Sequence, residues 1–233
     1  MCNITTQENK ELARHIPRGF EEGISKDDLI MPRIKIVQAM SNESSVIKQG
    51  IIINNLTLEE MPKNFIPILK FTEWRKFNPR SNKDPNFDPT YPVGALIWTV
   101  KDSSDARILE AEFGNNGEKP TAIKFMNFLC VFEGQRNPVV ISFHNTSYKA
   151  GKKLLSLCVN NSMSQGRDMF SNKYQLESKE VSNDSGKFFV FEITSAGRSS
   201  DEEYQLSEKI YNDLNKRSKE IKINDDDQTT WEN

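Results

Sequence analysis

The amino-acid sequence predicts a mainly-β fold, a β-barrel with one helix in the middle of the chain and a second near the C-terminal end. Two observations predict it: many short apolar runs rich in β-branched and aromatic residues, and turn-forming residues between those runs. Only two stretches show helical spacing, whereas a parallel α/β sheet alternates its strands with helices. The chain of 233 residues is long enough for one such domain with an extension.

The first half of the chain contains four predicted strands. "PRIKI" alternates basic and apolar residues, so the first strand should present Arg33 and Lys35 together on its exposed face. "GIIINN" predicts a second strand and "NFIPILKFTEWRKF" a third, in which Pro67 indicates an edge strand or a bulge. The proline-rich segment 78–94 is then a long loop, whose length favours a functional arm, and "ALIWTV" follows it as a buried strand.

The second half contains two hairpins and the two helices. "AIKFMNFLCVF" and "NPVVISF" form the first hairpin, and "KYQLESKEV" and "KFFVFEITS" form the second around "SNDSG". Between the hairpins, "NTSYKAGKKLLSLCVNN" has helical spacing, with Asn145 or Thr146 as the N-cap. A capping box from Ser200 to Glu203 opens the C-terminal amphipathic helix. Among barrels of this size, the five-stranded OB type commonly carries one helix between strands, so the OB type is one candidate for this barrel.

Several classes of protein are disfavoured by the sequence. No window approaches the roughly 18 consecutive apolar residues of a membrane helix. The opening "MCNITTQENK" lacks the apolar core of a signal peptide. The three cysteines, Cys2, Cys130 and Cys158, are far apart and form no CxxC pair, which is typical of free thiols in a reducing compartment. We therefore expect a cytoplasmic protein.

A search for catalytic residues gives weak signals only. The two histidines, His15 and His144, have no neighbouring ligands at metal-site spacing. "AGKKLL" lacks the upstream glycine and the Ser or Thr of a phosphate loop. Four acids of the segment 102–112 could surround magnesium and serve a nuclease, but a solvated loop fits them better. We expect no enzyme, no metal and no cofactor.

The distribution of charge points to a polyanionic partner. Residues 198–233 carry ten acidic and six basic residues, whereas the rest of the chain carries 25 bases and 23 acids. Basic residues alternate with aromatic ones in "FTEWRKFNPR" and in "GRDMFSNKY", and lysines at i, i+3 and i+4 form a stripe on the mid-chain helix. The alternative is that Phe71 and Trp74 are core residues and the bases only aid solubility. The candidate binding residues are Arg33, Lys35, Phe71, Trp74, Arg75, Lys76, Phe77, Arg80, Lys149, Lys152, Lys153, Arg167, Lys173 and Tyr174.

The C-terminal segment "INDDDQTTWEN" combines three acids with one aromatic residue. Asp225, Asp226 and Asp227 resemble a nucleic-acid backbone in charge and can compete for a basic groove, while Trp231 can anchor in a partner's pocket. The alternative is that an acidic tail serves only solubility.

Three stretches resemble the opening of a family of bacteriophage proteins usually regarded as single-stranded-DNA-binding proteins. They are "GFEEGISKDDLIMPRIKIVQAMS", "IKQGIIINNLTLE" and "FIPILKFTEWRKF". "MNFLCVF" and "NPVVISFHNTSYKAGKKLLSL" are similar to a later block, so the resemblance covers about Gly19–Leu157, with a looser fit to Ile193. The resemblance implies an OB fold and DNA binding. Some relatives carry a cysteine cluster between "ALIWTV" and "MNFLCVF", and this chain has none there, so we expect no metal.

Together these observations predict a sequence-independent single-stranded-DNA-binding protein of phage replication or recombination. We divide the chain into a flexible lead-in (1–26), an OB-like nucleic-acid-binding domain (27–197), a C-terminal amphipathic helix (198–223) and a disordered acidic tail (224–233). Replication or recombination proteins are expected to bind the tail, and homo-oligomerisation is left open. The alternative is a non-catalytic phage interaction or virion-associated protein that acts on a host or phage protein.

Overall fold

The computed structural model describes residues 31–183 and 186–217. The predicted lead-in and acidic tail lie outside these residues. The described part contains eight strands and two α-helices. The strands are β1 (Ile34–Ile36), β2 (Ile52–Asn54), β3 (Asn64–Phe77), β4 (Leu96–Val100), β5 (Ile123–Phe132), β6 (Val139–Phe143), β7 (Asn172–Asn183) and β8 (Gly186–Arg198), and the helices are α1 (Tyr148–Asn161) and α2 (Asp201–Arg217).

The strands form one six-stranded antiparallel sheet and one small two-stranded sheet. The large sheet has the order β6-β5-β3-β7-β8, and β4 pairs with the C-terminal end of β3. β1 and β2 form the small antiparallel sheet. The mainly-β class with one mid-chain helix and one C-terminal helix is thus confirmed. The large sheet is not closed into a barrel, because β6 and β8 lie at opposite ends of the strand order.

The segment around β1 spans the gap between these two edge strands. Arg33 forms an isolated parallel bridge with Val140 of β6. At the other side, the Gln38 side-chain amide donates to the Phe189 carbonyl of β8 at 2.8 Å and accepts from the Phe189 N–H at 2.9 Å. Gly50, with φ +85°, lies against the Phe189 ring, where an added Cβ would come within 2.7 Å of a ring carbon. One side chain therefore satisfies backbone groups that a closing strand would otherwise pair.

β3 is the central strand of the large sheet. β5 pairs with it from Phe65 to Arg75, while β7 and β4 pair with opposite ends of its other edge. The register against β5 shifts between Pro67 and Leu69, so the bulge predicted at the proline is confirmed and the edge-strand alternative is wrong. A central position leaves little of β3 in contact with solvent.

The core lies between the large sheet and α1. Gly151 of α1 packs directly on Phe143, where an added Cβ would come within 2.7 Å of the Phe143 Cβ and 2.8 Å of its ring. Cys130 and Cys158 are free and buried in this core, and burial raises the pKa of the Cys158 thiol to about 11. The large buried side chains of the core include Phe65, Phe128, Phe132, Phe143, Leu154, Tyr174, Leu176 and Ile193.

The two helices begin in different ways. α1 has Ser147 as its N-cap rather than the predicted Asn145 or Thr146, because a 3-10 turn precedes it and Asn145 adopts φ 44°. α2 follows the predicted capping box: the Ser200 N–H donates to the Glu203 carboxylate at 2.8 Å, and the Glu203 N–H donates to the Ser200 hydroxyl at 3.2 Å. That prediction is confirmed.

Neither helix of the described residues is long and apolar enough to cross a membrane.

Candidate functional site

A pocket of about 400 Å³ lies where the segment around β1 meets β8, beside the turn that leads into α1. Its walls combine cationic side chains with phenylalanine rings. Within the described ranges 31–183 and 186–217, no carboxylate lines it. The cations are Arg33, Lys35 and Arg75, and the rings are Phe125, Phe189 and Phe191.

The arginines of the pocket are held by one buried carboxylate, that of Glu73. One of its oxygens accepts from Arg75 at 2.7 Å and from the Asn127 amide at 3.1 Å, and lies 3.7 Å from Arg33. Its other oxygen lies 3.6 Å from Lys101. Among the described residues, three cations therefore contact this one anion. A buried ion pair needs such additional hydrogen bonds, because removing charges from water is costly.

Several polar contacts fix Arg33. Its backbone N–H donates to the Asn55 side-chain oxygen at 2.7 Å, and its guanidinium donates to the Ser142 hydroxyl at 2.6 Å, in addition to the contact with Glu73. These contacts orient the side chain before any ligand arrives, which lowers the entropy cost of binding.

Lys35 lies nearer to solvent and forms an ion pair with Glu43. Burial raises the pKa of the Glu43 carboxyl, but the hydrogen bond from Lys35, a backbone hydrogen bond and the charge of Lys35 together bring it below its usual value. Glu43 therefore stays ionised near neutral pH, and its carboxylate orients the Lys35 ammonium.

The rings differ in how much of their surface reaches the pocket. Phe125 is buried between the Arg75 guanidinium, 4.9 Å from the ring centroid, and the His144 ring, at 4.6 Å between centroids. Burial, with the nearby charge of Arg75, lowers the pKa of His144, so its imidazole is neutral at pH 7. Phe189 and Phe191 are only half-buried and alternate along β8, so they face the pocket together.

Four of the sequence-predicted binding residues are in the interior. Trp74 is 8% exposed and lies beneath Lys124, whose Nζ is 5.5 Å from the ring centroid. Tyr174 is fully buried in the core, and burial beside Cys158 raises the pKa of its hydroxyl. Arg33 and Arg75 are 8% and 4% exposed. Neither Trp74 nor Tyr174 thus presents the exposed ring that base stacking requires, and β1 does not carry both cations on an open face.

The other predicted residues are ion-paired, half-buried or exposed. Lys76 donates to Glu110 at 2.7 Å and Lys173 donates to Glu203 at 3.0 Å. Phe71 and Phe77 are half-buried. The side chains that remain exposed are Arg80, Lys149, Lys152, Lys153 and Arg167.

One predicted group of cations, the lysine stripe of α1, begins next to the pocket. Thr146 and Ser147 line the pocket, and α1 begins at the next residue, so the lysine stripe of α1 starts beside the pocket. The stripe consists of Lys149, Lys152 and Lys153. The residues Lys76, Arg80, Arg167 and Lys173 do not line the pocket.

Sequence reasoning missed several residues of this site. Phe189 and Phe191 belong to a predicted hairpin strand, and their i, i+2 spacing indicates a shared face but not which surface that face meets. Glu73 carries a better signal, because an acid between apolar residues of a long predicted strand needs a buried partner. Phe125 and His144 join the site only through the pairing of β5 with β3 and β6.

Three acids of the segment 102–112 accept hydrogen bonds from other residues of the chain. Asp102 accepts from Ser104, Asp105 accepts from Arg107, and Glu110 accepts from Lys76 and Thr121. The hydrogen bond from Arg107 lowers the pKa of Asp105 to about 2. Across the part of the chain that the structure describes, no three His, Cys, Asp or Glu side chains gather where they could hold a metal ion.

Comparison with known proteins identifies a family. The family model described as Pam3 phage gp34-like protein matches residues 8–220. No curated protein and no solved structure matches this chain.

Proposed function

The chain belongs to the Pam3 phage gp34-like protein family, and from this premise we propose that it binds single-stranded DNA without sequence preference. The binding would serve phage replication or recombination in the host cytoplasm. One observation carries the proposal: a single pocket sets Arg33, Lys35 and Arg75 beside the half-buried rings of Phe189 and Phe191.

Sequence-independent binding of single strands needs two kinds of contact. Cations neutralise the phosphates, and aromatic side chains stack on bases, which contributes about 1–3 kcal/mol per base. The pocket supplies both kinds of contact on its walls. The duplex hides its base faces inside the stack, so a site that uses the rings favours unpaired strands.

The lysine stripe of α1 extends the charged surface away from the pocket. Lys149, Lys152 and Lys153 are exposed on the first two turns of a helix that begins at the pocket rim. Lys152 lies with its Nζ 5.5 Å from the centroid of the Tyr148 ring, another aromatic beside a cation. A strand that leaves the pocket along α1 would meet these lysines through its phosphates.

The test is a salt-resolved binding titration with labelled single strands and unlabelled duplex as the competitor. If the protein neutralises n phosphates, log affinity should fall with log salt concentration with a slope of about −0.7n. Duplex should compete poorly. A slope near zero, or equal competition by duplex, would contradict the proposal.

A second function is favoured by exposed apolar side chains between β4 and β5. Leu109, within the 3-10 turn Ala106–Ala111, is 65% exposed, and Phe113, just after that turn, is 72% exposed. Apolar side chains in the open are typical of surfaces that bind another protein. If single strands do not bind, we propose that the protein is a non-catalytic interaction or virion-associated protein that acts on a phage or host partner.

A further inference from the structure

We infer that the pocket receives one nucleotide, with its base against Phe189 and Phe191 and its phosphate at the side of Arg33 and Lys35. This inference rests on the proposed function and specifies its ligand. The DNA strand would insert a single unstacked nucleotide into the pocket and continue outside it, rather than lie along a groove several bases long.

The size of the pocket supports one nucleotide. Its volume of about 400 Å³ is at the lower end of the range for pockets that bury one small ligand, about 300–1,000 Å³. Gly50 packs on the Phe189 ring and Gln38 binds the Phe189 backbone, so the segment around β1 is attached to β8 beside the pocket. The volume leaves room for one base with its sugar and phosphate, but not for a stacked run.

The two walls of the pocket have the chemistry of the two ends of a nucleotide. Arg33 and Lys35 are on β1 or directly before it, so two of the three cations belong to one wall. Phe189 and Phe191 belong to β8, so two of the three rings belong to the other wall. The third cation and the third ring, Arg75 and Phe125, lie together on β3 and β5. A phosphate and a base are separated by a sugar in the same way. Free phosphate would use only the first wall, and a nucleoside only the second.

The polar groups near the rings fit a base of any kind. Ser41 and Thr146 line the pocket and carry hydroxyl groups, which can donate or accept a hydrogen bond. A base edge with donors and one with acceptors can therefore both be satisfied. The pocket would therefore bind a nucleotide whichever base it carries, which agrees with the absence of sequence preference in the proposed function.

The experiment is isothermal titration calorimetry of the full chain with dTMP, thymidine and inorganic phosphate, together with competition of dTMP against a labelled oligothymidylate. We expect dTMP to bind saturably and to displace the oligonucleotide. Thymidine and phosphate should each bind at least about tenfold more weakly than dTMP, because each lacks one of the two contacts.

Two substitutions separate the two walls. Lys35→Gln should weaken dTMP binding about fivefold by removing a charge-assisted contact, whereas the matched variant Lys187→Gln, which also breaks a Lys–Glu pair, should leave it unchanged. Phe191→Leu should weaken dTMP binding by a similar factor and leave phosphate binding unchanged. Thermal unfolding of each variant checks that the fold is intact.

The outcomes distinguish this inference from the proposed function. If the oligonucleotide binds with the expected salt slope but dTMP neither binds nor competes, the inference is overturned and the function stands. If dTMP binds in a Lys35-dependent way but single strands bind no better than duplex, the function is overturned and the nucleotide site stands. Phosphate binding as tight as dTMP binding would overturn the inference, since the rings would then contribute nothing.

Discussion

The C-terminal end of β3 and the first turns of α1 share one sequence pattern, basic residues beside apolar ones, but they occupy opposite environments. On β3, Trp74 is 8% exposed and Arg75 is 4% exposed, with Arg75 bound to the buried Glu73. On α1, Lys149 and Lys152 are exposed to solvent. The difference arises because β3 is paired along both edges, whereas only one face of α1 packs against the sheet.

This comparison separates two uses of positive charge. Buried arginines are held in position by a carboxylate and can contact a ligand only through the pocket that they line. Exposed lysines are mobile point charges that attract phosphates from any direction. The two sets should therefore respond differently to mutation: β3 residues should change stability, and α1 residues should change binding.

The largest effect is expected for Trp74→Ala. Removing a buried indole should lower the free energy of unfolding by about 3–5 kcal/mol, because of the lost burial and the cavity. Chemical unfolding measures this loss, and single-strand binding by the folded fraction should be unchanged. Trp98→Ala on β4, where the ring is half-buried, is the control and should cost less. If Trp74→Ala weakens binding and spares stability, the ring is a stacking residue after all.

Glu73→Gln should have the next largest effect. The substitution keeps the shape of the side chain but leaves Arg33 and Arg75 without their buried anion, so we expect a loss of about 3 kcal/mol in the free energy of unfolding. Glu180→Gln, which breaks the exposed pair with Lys187, should lower the free energy of unfolding far less, because solvent screens that pair. Equal losses for the two variants would show that the carboxylate of Glu73 does not organise the arginines.

Replacing the lysine stripe should change binding rather than stability. With Lys149, Lys152 and Lys153 all changed to Gln, the log–log salt slope should become less negative by about 2, since each lost phosphate contact removes about 0.7. Each change should alter the free energy of unfolding by no more than about 0.5 kcal/mol. The triple variant Lys63, Lys179 and Lys187 to Gln removes the same charge from other exposed positions. An equal shift in slope for that control would show that net charge, and not the stripe, attracts DNA.

The smallest effect is expected from deleting residues 224–233, which lie outside the described residues. The deletion removes four acids and no bases, so the formal charge changes from −2 to +2. If the acids compete with DNA for the cations, affinity for single strands should rise by a few-fold at low salt, where screening is weakest. A scrambled tail with the same charges should restore the competition but not any partner binding through Trp231. Unchanged affinity at low salt would leave the tail as a solubilising segment.

Local features were predictable from the sequence because local interactions decide them. The Ser200–Glu203 capping box, the hairpin of β7 and β8 and the bulge at Pro67 all depend on residues close together in the chain. The N-cap of α1 was displaced to Ser147 because a 3-10 turn, closed by the Ser147 hydroxyl on His144, absorbed the residues with capping propensity.

The candidate site was only partly predictable. The sequence predicts three basic residues beside apolar ones as binding residues, and the structure places them around one pocket: Arg33, Lys35 and Arg75. The sequence does not predict Phe189 and Phe191 as binding residues. Their strand, β8, is more than 100 residues from β1 in the chain and meets the segment around β1 through Gln38.

The sequence by itself determined which segments are strands or helices and that the charges are unevenly distributed, because periodicity, turn residues and caps act over a few residues. Tertiary structure alone decided that the large sheet stays open, that Trp74 and Arg75 are buried and that Glu73 gathers cations from three separate segments. The physical reason is that burial depends on how many neighbours a strand acquires. The order of strands in a sheet sets that number, and the alternation of residues within one strand does not.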